Sequence, residues 1–208
     1  KSYQQLQINH IFGSLLFINR RFYYLCILLS EKKVIMHFSK LFKHCPVCGS
    51  VHFTDNNVKS KRCENCGFVY YMNASAAVAA FFLNEKQELL VCVRGREPAK
   101  GTWDLPGGFI DDNETAEQAV QREILEELNL EIQSEKYIFS LPNIYEYSGL
   151  TIPTLDMFFL TEVKDFGRLR AADDVSECMF VAVNKLHPEK FGLKSIKNAV
   201  KLFTENKF

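Results

Sequence analysis

The 208-residue chain lacks net charge: 25 lysines and arginines balance 25 aspartates and glutamates. That balance excludes a global basic field of the kind that draws in nucleic acid, and it excludes an acidic tail. The chain also lacks an apolar run of the roughly 18–20 residues that a membrane-spanning helix needs, so no membrane partner is expected. Residues 1–35 hold only two shorter runs, 11–18 and 22–29, interrupted by Asn19, Arg20 and Arg21. The second run resembles a signal-peptide core. The small-residue cleavage site that should follow is missing, and Ser30, Glu31, Lys32 and Lys33 stand there instead. The first residue is a lysine, while a start methionine is available at Met36. Residues 1–35 therefore read as upstream sequence or a misplaced start. A membrane-associating segment and a helix packed on the main domain are the alternatives.

What is present is length enough for one sizeable domain and a small accessory one, together with seven cysteines. Four of these form two C-x2-C knuckles, Cys45-Pro46-Val47-Cys48-Gly49 and Cys63-Glu64-Asn65-Cys66-Gly67, separated by 14 residues. Each knuckle offers two thiolates to one tetrahedral Zn²⁺, and the glycine after each pair permits the tight turn. Four thiolates close the coordination shell, so this zinc is expected to be structural. His37, His44 and His52 read as surface residues. Cys26, Cys92 and Cys178 lie in apolar surroundings and read as buried thiols, which fits a reducing cytoplasm better than a disulfide framework. Lys40, Lys43, Lys59, Lys61 and Arg62 give the cysteine module a basic tint, and Phe42, Phe53, Phe68, Tyr70 and Tyr71 add aromatics. A ribbon packing those aromatics against the next domain is the preferred reading, with binding of single-stranded RNA as the alternative.

Glu123, Glu126 and Glu127 stand at i, i+3 and i+4, which puts three carboxylates on one face of a helix. At about 100° per residue, Glu123 and Glu127 fall among Ala116, Ala119 and Val120, inside the apolar stripe that should face the core. Like charges repel at that spacing, and the last turns of a helix favour cations. A compensating cation is therefore expected, and hard oxygen ligands select Mg²⁺ or Mn²⁺. A solvated acidic face is the alternative. Asn113 can cap the helix start, Thr115 and Gln118 can form a capping box, and Asn129 stands at the left-handed position past its end.

Gly108, Glu114, Arg122-Glu123, Ile124, Glu126-Glu127 and Leu130 fall at the spacing G-x5-E-x7-R-E-U-x-E-E-x-G-U, where U is a bulky apolar residue. Asn129 stands where the pattern has its late glycine. This stretch resembles the Nudix box of the Nudix hydrolase family. The resemblance spans residues 42–205 and implies an α/β (α+β) fold, the Nudix α/β/α sandwich with a mixed sheet, preceded by a zinc ribbon. It divides the chain into an upstream segment (1–35), the ribbon (36–72) and the hydrolase domain (73–208). It also implies a structural ion pair between Glu114 and Arg122, and divalent metal on Glu123, Glu126 and Glu127 with the carbonyl of Gly107 or Gly108 as a further ligand. In relatives with a ribbon, a glutamate before the last core strand supplies another ligand or the base. Glu177 matches that position, a plain loop carboxylate being the alternative. The catalytic carboxylate that orients or deprotonates water is then Glu123, Glu127 or Glu177.

Elsewhere, residues 74–83 and 88–94 read as strands joined by a turn. In the loop that follows, Arg94 and Arg96 suit bidentate contact with phosphate, or are ordinary solvated arginines. Gly107 and Gly108 let backbone approach a metal or phosphate closely. Residues 137–141, 155–163 and 177–183 read as further strands. Between the first two, a loop presents Tyr145 and Tyr147 for stacking on a nucleobase, or as strand residues. Residues 191–208 carry Leu193, Ile196, Ala199, Val200 and Phe203 at helical spacing and read as an amphipathic helix.

The function that follows is Mg-dependent hydrolysis of the diphosphate linkage in ADP-ribose, a nucleotide sugar or a similar nucleoside diphosphate derivative. NAD(H) pyrophosphatase activity, including removal of NAD caps from RNA, is the alternative. That group carries an S-Q-P-W-P-F-P-type segment, whereas Ser140-Leu141-Pro142-Asn143-Ile144-Tyr145 here lacks the Gln and the Trp. A nucleotide-binding regulator with a Nudix fold is the reading from another class; such proteins usually lose box carboxylates, which this chain keeps. The expected partner is a small nucleotide substrate in the cytoplasm. A homodimer is compatible, and nucleic acid is the lesser expectation.

Overall fold

The computed structural model describes residues 38–147 and 150–205, so the expectations for residues 1–35, for Cys26 and for His37 lie outside the described residues. Three short strands, β1 (Phe53–Asn57), β2 (Ser60–Cys63) and β3 (Val69–Tyr71), form an antiparallel sheet in that order. Its core is minimal: Cys45, Phe53 and Cys63 are buried, and Phe68 packs against them. An apolar core this small needs a further staple. Phe53 and Phe68 thus turn into the module itself, while Tyr70 and Tyr71 remain 40% and 53% exposed. That departs from the expected packing of these aromatics on the next domain.

The larger part contains β4 (Ser75–Phe82), β5 (Glu88–Arg94), β6 (Trp103–Asp104), α1 (Ala116–Leu128), β7 (Ile132–Tyr147), β8 (Leu150–Val163), β9 (Val175–Ala182) and α2 (Lys194–Thr204). One sheet has the order β4-β8-β7 and the other β6-β5-β9. β4 runs parallel to β8 and β7 antiparallel to it, which makes the first sheet mixed.

Alternation along β4 sends successive side chains to opposite faces. Val78, Ala80 and Phe82 join Val120, Ile124 and Leu128 of α1 in one buried cluster. Phe81 points the other way and stacks on Phe203 of α2, with ring centroids 4.5 Å apart. A helix therefore covers each face, which gives the α/β/α layering that the sequence implied. Ile196, Ala199, Val200 and Phe203 are buried along α2, as their spacing required. Cys92 is buried and Cys178, its register partner across β5 and β9, is half-buried.

The loop expected between residues 141 and 155 is instead strand: β7 and β8 pair from Ile132↔Val163 to Tyr147↔Leu150. Pro142 is tolerated because β7 is an edge strand of its sheet, where a missing N–H need not break a ladder bond. Among the described residues no helix is long and apolar enough to cross a membrane.

Candidate active site

α1 begins with a reciprocal cap. The Thr115 hydroxyl accepts from the Gln118 N–H at 3.2 Å, and the Gln118 side chain accepts from the Thr115 N–H at 2.9 Å. Asn113 does not cap the helix; it occupies a left-handed turn (φ 64°) just ahead of it. At the other end Asn129 adopts φ 54°, ψ 37° and its N–H closes the last turn on the Leu125 carbonyl. The glycine position of the box is thus filled by the residue that best tolerates it after glycine.

Arg122 organises the helix surface. Its guanidinium makes a bidentate contact with Glu114, 2.8 Å at each nitrogen, and donates to the Phe109 carbonyl at 3.0 Å. It also reaches Glu123 at 2.8 Å and Glu126 at 3.2 Å. The pair implied for Glu114 and Arg122 is thus part of a wider network. The Arg122 hydrogen bonds, with help from the Asp111 N–H, hold the Glu114 carboxyl down to about 2.

Glu127 lies deeper, 5% exposed, and accepts from the Gly107 N–H at 2.9 Å. That bond exists because Gly107 (φ +142°) threads against β4, where a Cβ would stand 2.2 Å from the Val78 carbonyl oxygen. The Val78 N–H donates to the Gly108 carbonyl and the Ala80 N–H to the Pro106 carbonyl on either side. Burial pushes the Glu127 carboxyl well above the usual carboxylate range. The Gly107 N–H opposes this, while Glu123, Asp104 and Asp174 add to it. Burial likewise raises Glu123, opposed by Arg122 and reinforced by Glu126 and Asp111.

These groups line a cleft of about 330 Å³ whose walls carry eight carboxylates, from Asp104 to Asp174, against three arginines. Crowded, partly buried carboxylates of this kind require a cation or protons. The donors are all oxygen, so a hard divalent ion fits them. Among the described residues, only the cysteines already bring three or more metal-binding atoms within 4.8 Å of one another. Glu123 and Glu126 are engaged by Arg122.

Glu177 does not line the cleft: it is exposed on β9, opposite Val93. The register slips between Val93↔Glu177 and Arg94↔Val175. Such a bulge breaks alternation, so Val175 is buried while Glu177, two residues on, faces solvent. Asp174 and Asp173, immediately before the strand, line the cleft instead. Their adjacency to the apolar strand start is the signal that sequence reading passed over.

Arg94 is the last residue of β5, which spans the strand expected at residues 88–94. It pairs with Asp104 and donates to the Pro98 carbonyl at 2.7 Å. Arg96 pairs with Asp173 at 3.0 Å and Asp174 at 2.7 Å. Both arginines face the cleft, already engaged by carboxylates. Tyr145 lines it too, its hydroxyl 3.5 Å from Arg94 and its ring edge-on to Phe109 at 5.3 Å. Asp104, Asn143, Thr154 and Asp156 are cleft residues that no local pattern announced; the β7–β8 register gathers the last three, and Asp104 comes from β6 of the other sheet.

In the cysteine module, Cys45 and Cys66 sulfurs are 3.7 Å apart and those of Cys48 and Cys63 are 3.6 Å apart. A tetrahedron with metal–sulfur bonds of about 2.3 Å has sulfur–sulfur edges of about 3.8 Å. The cluster can therefore hold a metal ion, and zinc fits it. A backbone hydrogen bond from Ser50, then the Asn65 amide, hold the Cys48 thiol down to about 6.

The NUDIX domain family model matches residues 73–202. Among curated relatives, the NAD-capped RNA hydrolase NudC of Vibrio parahaemolyticus is 26% identical over 165 residues, 79% of this chain and 60% of that protein. The ADP-ribose pyrophosphatase of Methanocaldococcus jannaschii is 34% identical over 118 residues, 56% of this chain and 66% of that protein. The chain spans 44% to 60% of the length of the first NudC relatives that it matches. Among solved structures, a NUDIX hydrolase from Nitrosomonas europaea superposes with a TM-score of 0.58 at 21% identity, covering 79% of this chain and 91% of the other. A MutT NUDIX hydrolase from Burkholderia pseudomallei gives 0.54 at 23% identity, covering 62% and 97%. At these identities the structures speak for the fold.

Proposed function

Because the chain belongs to the NUDIX family, we propose that it hydrolyses the diphosphate linkage of a nucleoside diphosphate joined to a second moiety, such as ADP-ribose or a nucleotide sugar. The observation that carries this reading is Glu127, a buried carboxylate hydrogen-bonded to Gly107 in a cleft crowded with further carboxylates. Glu123, Glu126 and Glu127 would hold Mg²⁺ or Mn²⁺, with the carbonyl of Gly107 or Gly108 beside them. Asp174, not Glu177, offers the carboxylate from outside the helix. A divalent ion held there would supply positive charge against the diphosphate and would lower the pKa of a bound water. Glu123 or Glu127 orients that water or takes its proton. Their carboxyls are raised by burial and by their neighbours, and they titrate as a set. Arg122 keeps Glu123 and Glu126 aimed at the same edge of the helix.

NAD(H) hydrolysis, including NAD-cap removal, is the second reading. The 165-residue match to a NudC protein is longer than the matched domain at residues 73–202 and favours it. The division into a ribbon at 36–72 and a hydrolase domain at 73–208, zinc on Cys45, Cys48, Cys63 and Cys66, and a cytoplasmic setting belong to the same proposal.

The test is a panel of ADP-ribose, nucleotide sugars, NADH, dinucleoside polyphosphates and nucleoside triphosphates with Mg²⁺. Turnover of at least one is expected. Glu127→Gln keeps an acceptor for the Gly107 N–H and should lose about 10²-fold or more in rate while melting like the wild type. Full activity in that variant would sink the metal assignment. Tight binding of one compound without turnover would favour the regulator.

A further inference from the structure

The register across β4, β8 and β7 builds two rows on one face of the sheet. Ala77, Asp156 and Leu141 form the first, and Ser75, Thr154 and Asn143 the second. Ala77, Thr154, Asp156 and Asn143 open onto the cleft. Asp156 is buried and fully engaged: the Thr154 hydroxyl donates to one oxygen at 2.6 Å and the Ser195 hydroxyl of α2 to the other. Asn143 is not. It is 6% exposed, and its Oδ1 has no hydrogen-bond partner among the described residues.

A buried acceptor left unpaired is costly, and its rarity in folded proteins marks a place where something else supplies the donor. Tyr145, two residues along the same strand and therefore on the same face, lines the same cleft. Ala77 and Ala79 line the cleft as well, with side chains of a single methyl group. Ala77, Asn143, Thr154 and Asp156 share their cleft with Glu123 and Glu127, so a molecule whose diphosphate lies at the carboxylates can extend toward Asn143.

We propose that Asn143 reads the edge of an adenine-type base, its Oδ1 accepting from the exocyclic amino group while its Nδ2 donates to N7. A carboxamide presents an acceptor and a donor side by side, which matches a base that pairs an amino group with a ring acceptor and mismatches one with an oxo group there. This rests on the hydrolase reading above and deepens it, naming the adenine-bearing half of the substrate as the part that the chain selects. ADP-ribose and NAD share that half.

The test compares binding of AMP, IMP and nicotinamide mononucleotide by calorimetry, and kcat/KM for ADP-ribose and its hypoxanthine counterpart with Mg²⁺, in wild type and Asn143→Leu. The wild type should favour the adenine compound by about 10-fold or more. Asn143→Leu should bring the two within about threefold of each other. Its melting temperature should hold or rise, because an unpaired buried polar atom has been removed. If the leucine variant misfolds, Asn143→Ala serves with the same readouts. Equal losses for both bases, or no discrimination in the wild type, would overturn the proposal. So would a loss confined to nicotinamide mononucleotide, which would make Asn143 a reader of that carboxamide. AMP-over-IMP discrimination lost in the variant, with no diphosphate hydrolysed by the wild type, would remove the hydrolase reading and leave this inference standing.

Discussion

Gly107→Ala is expected to unfold the site from its backbone. The new Cβ would lie 2.2 Å from the Val78 carbonyl oxygen, 2.8 Å from Ala79 Cα and 2.9 Å from the Val78 carbonyl carbon. None of these is the end of a side chain that can swing away. Relief requires the loop and β4 to part by about 1 Å, and overpacking of this kind costs about 1–3 kcal/mol. Three hydrogen bonds cross the same seam: Val78 to Gly108, Ala80 to Pro106, and Ile110 to Ala76. At about 1 kcal/mol each, losing two or three of them brings the total to about 3–6 kcal/mol. For a protein of this size that is a fall of about 10–20 °C in melting temperature, read by calorimetry or circular dichroism. Gly108→Ala is the matched control. The three atoms nearest its Cβ would all belong to the Glu123 carboxyl, at 2.4–2.7 Å, and that group can move. Stability should change by about 1 kcal/mol or less, while Mg-dependent turnover falls at least about tenfold as Glu123 is displaced. A Gly107→Ala protein melting within about 2 °C of wild type and turning over normally would refute the reasoning.

Two further outcomes follow from other parts of the molecule. Glu114 is held at about 2 against an ordinary value of 4.5, so its contribution to stability is complete above the ordinary value and lost as pH falls toward 2. Urea midpoints between those limits should drop for wild type and flatten for Glu114→Gln; parallel curves would exclude the Arg122 pair as the cause. Thiol modification should release one zinc per chain to a chromogenic chelator and expose residues 45–71 to protease. Hydrolysis of a small nucleotide substrate at α1 should persist; zinc absent from protein grown in zinc-replete medium would refute the structural-metal assignment.

The features readable from the chain alone are those set by neighbours in sequence. The helix face with Glu123, Glu126 and Glu127, the cap at Thr115, the left-handed Asn129 and the four-cysteine knuckles all follow from local spacing, where 3.6 residues per turn or two knuckles decide geometry without help. The amphipathic α2 was legible for the same reason. What needed the tertiary structure was whatever depends on register. Strand pairing carried β7 through the expected loop, and a bulge sent Glu177 to solvent, leaving Asp174 at the cleft. Contact across β5 and β6 made Arg94 the partner of Asp104. Asn143, Thr154 and Asp156 lie on two strands, separated by a hairpin, with nothing local to join them. A one-residue slip in a strand sends every side chain to the other face. The chain could therefore announce the acidic helix, while only the paired sheet could decide which polar side chains meet it across the cleft.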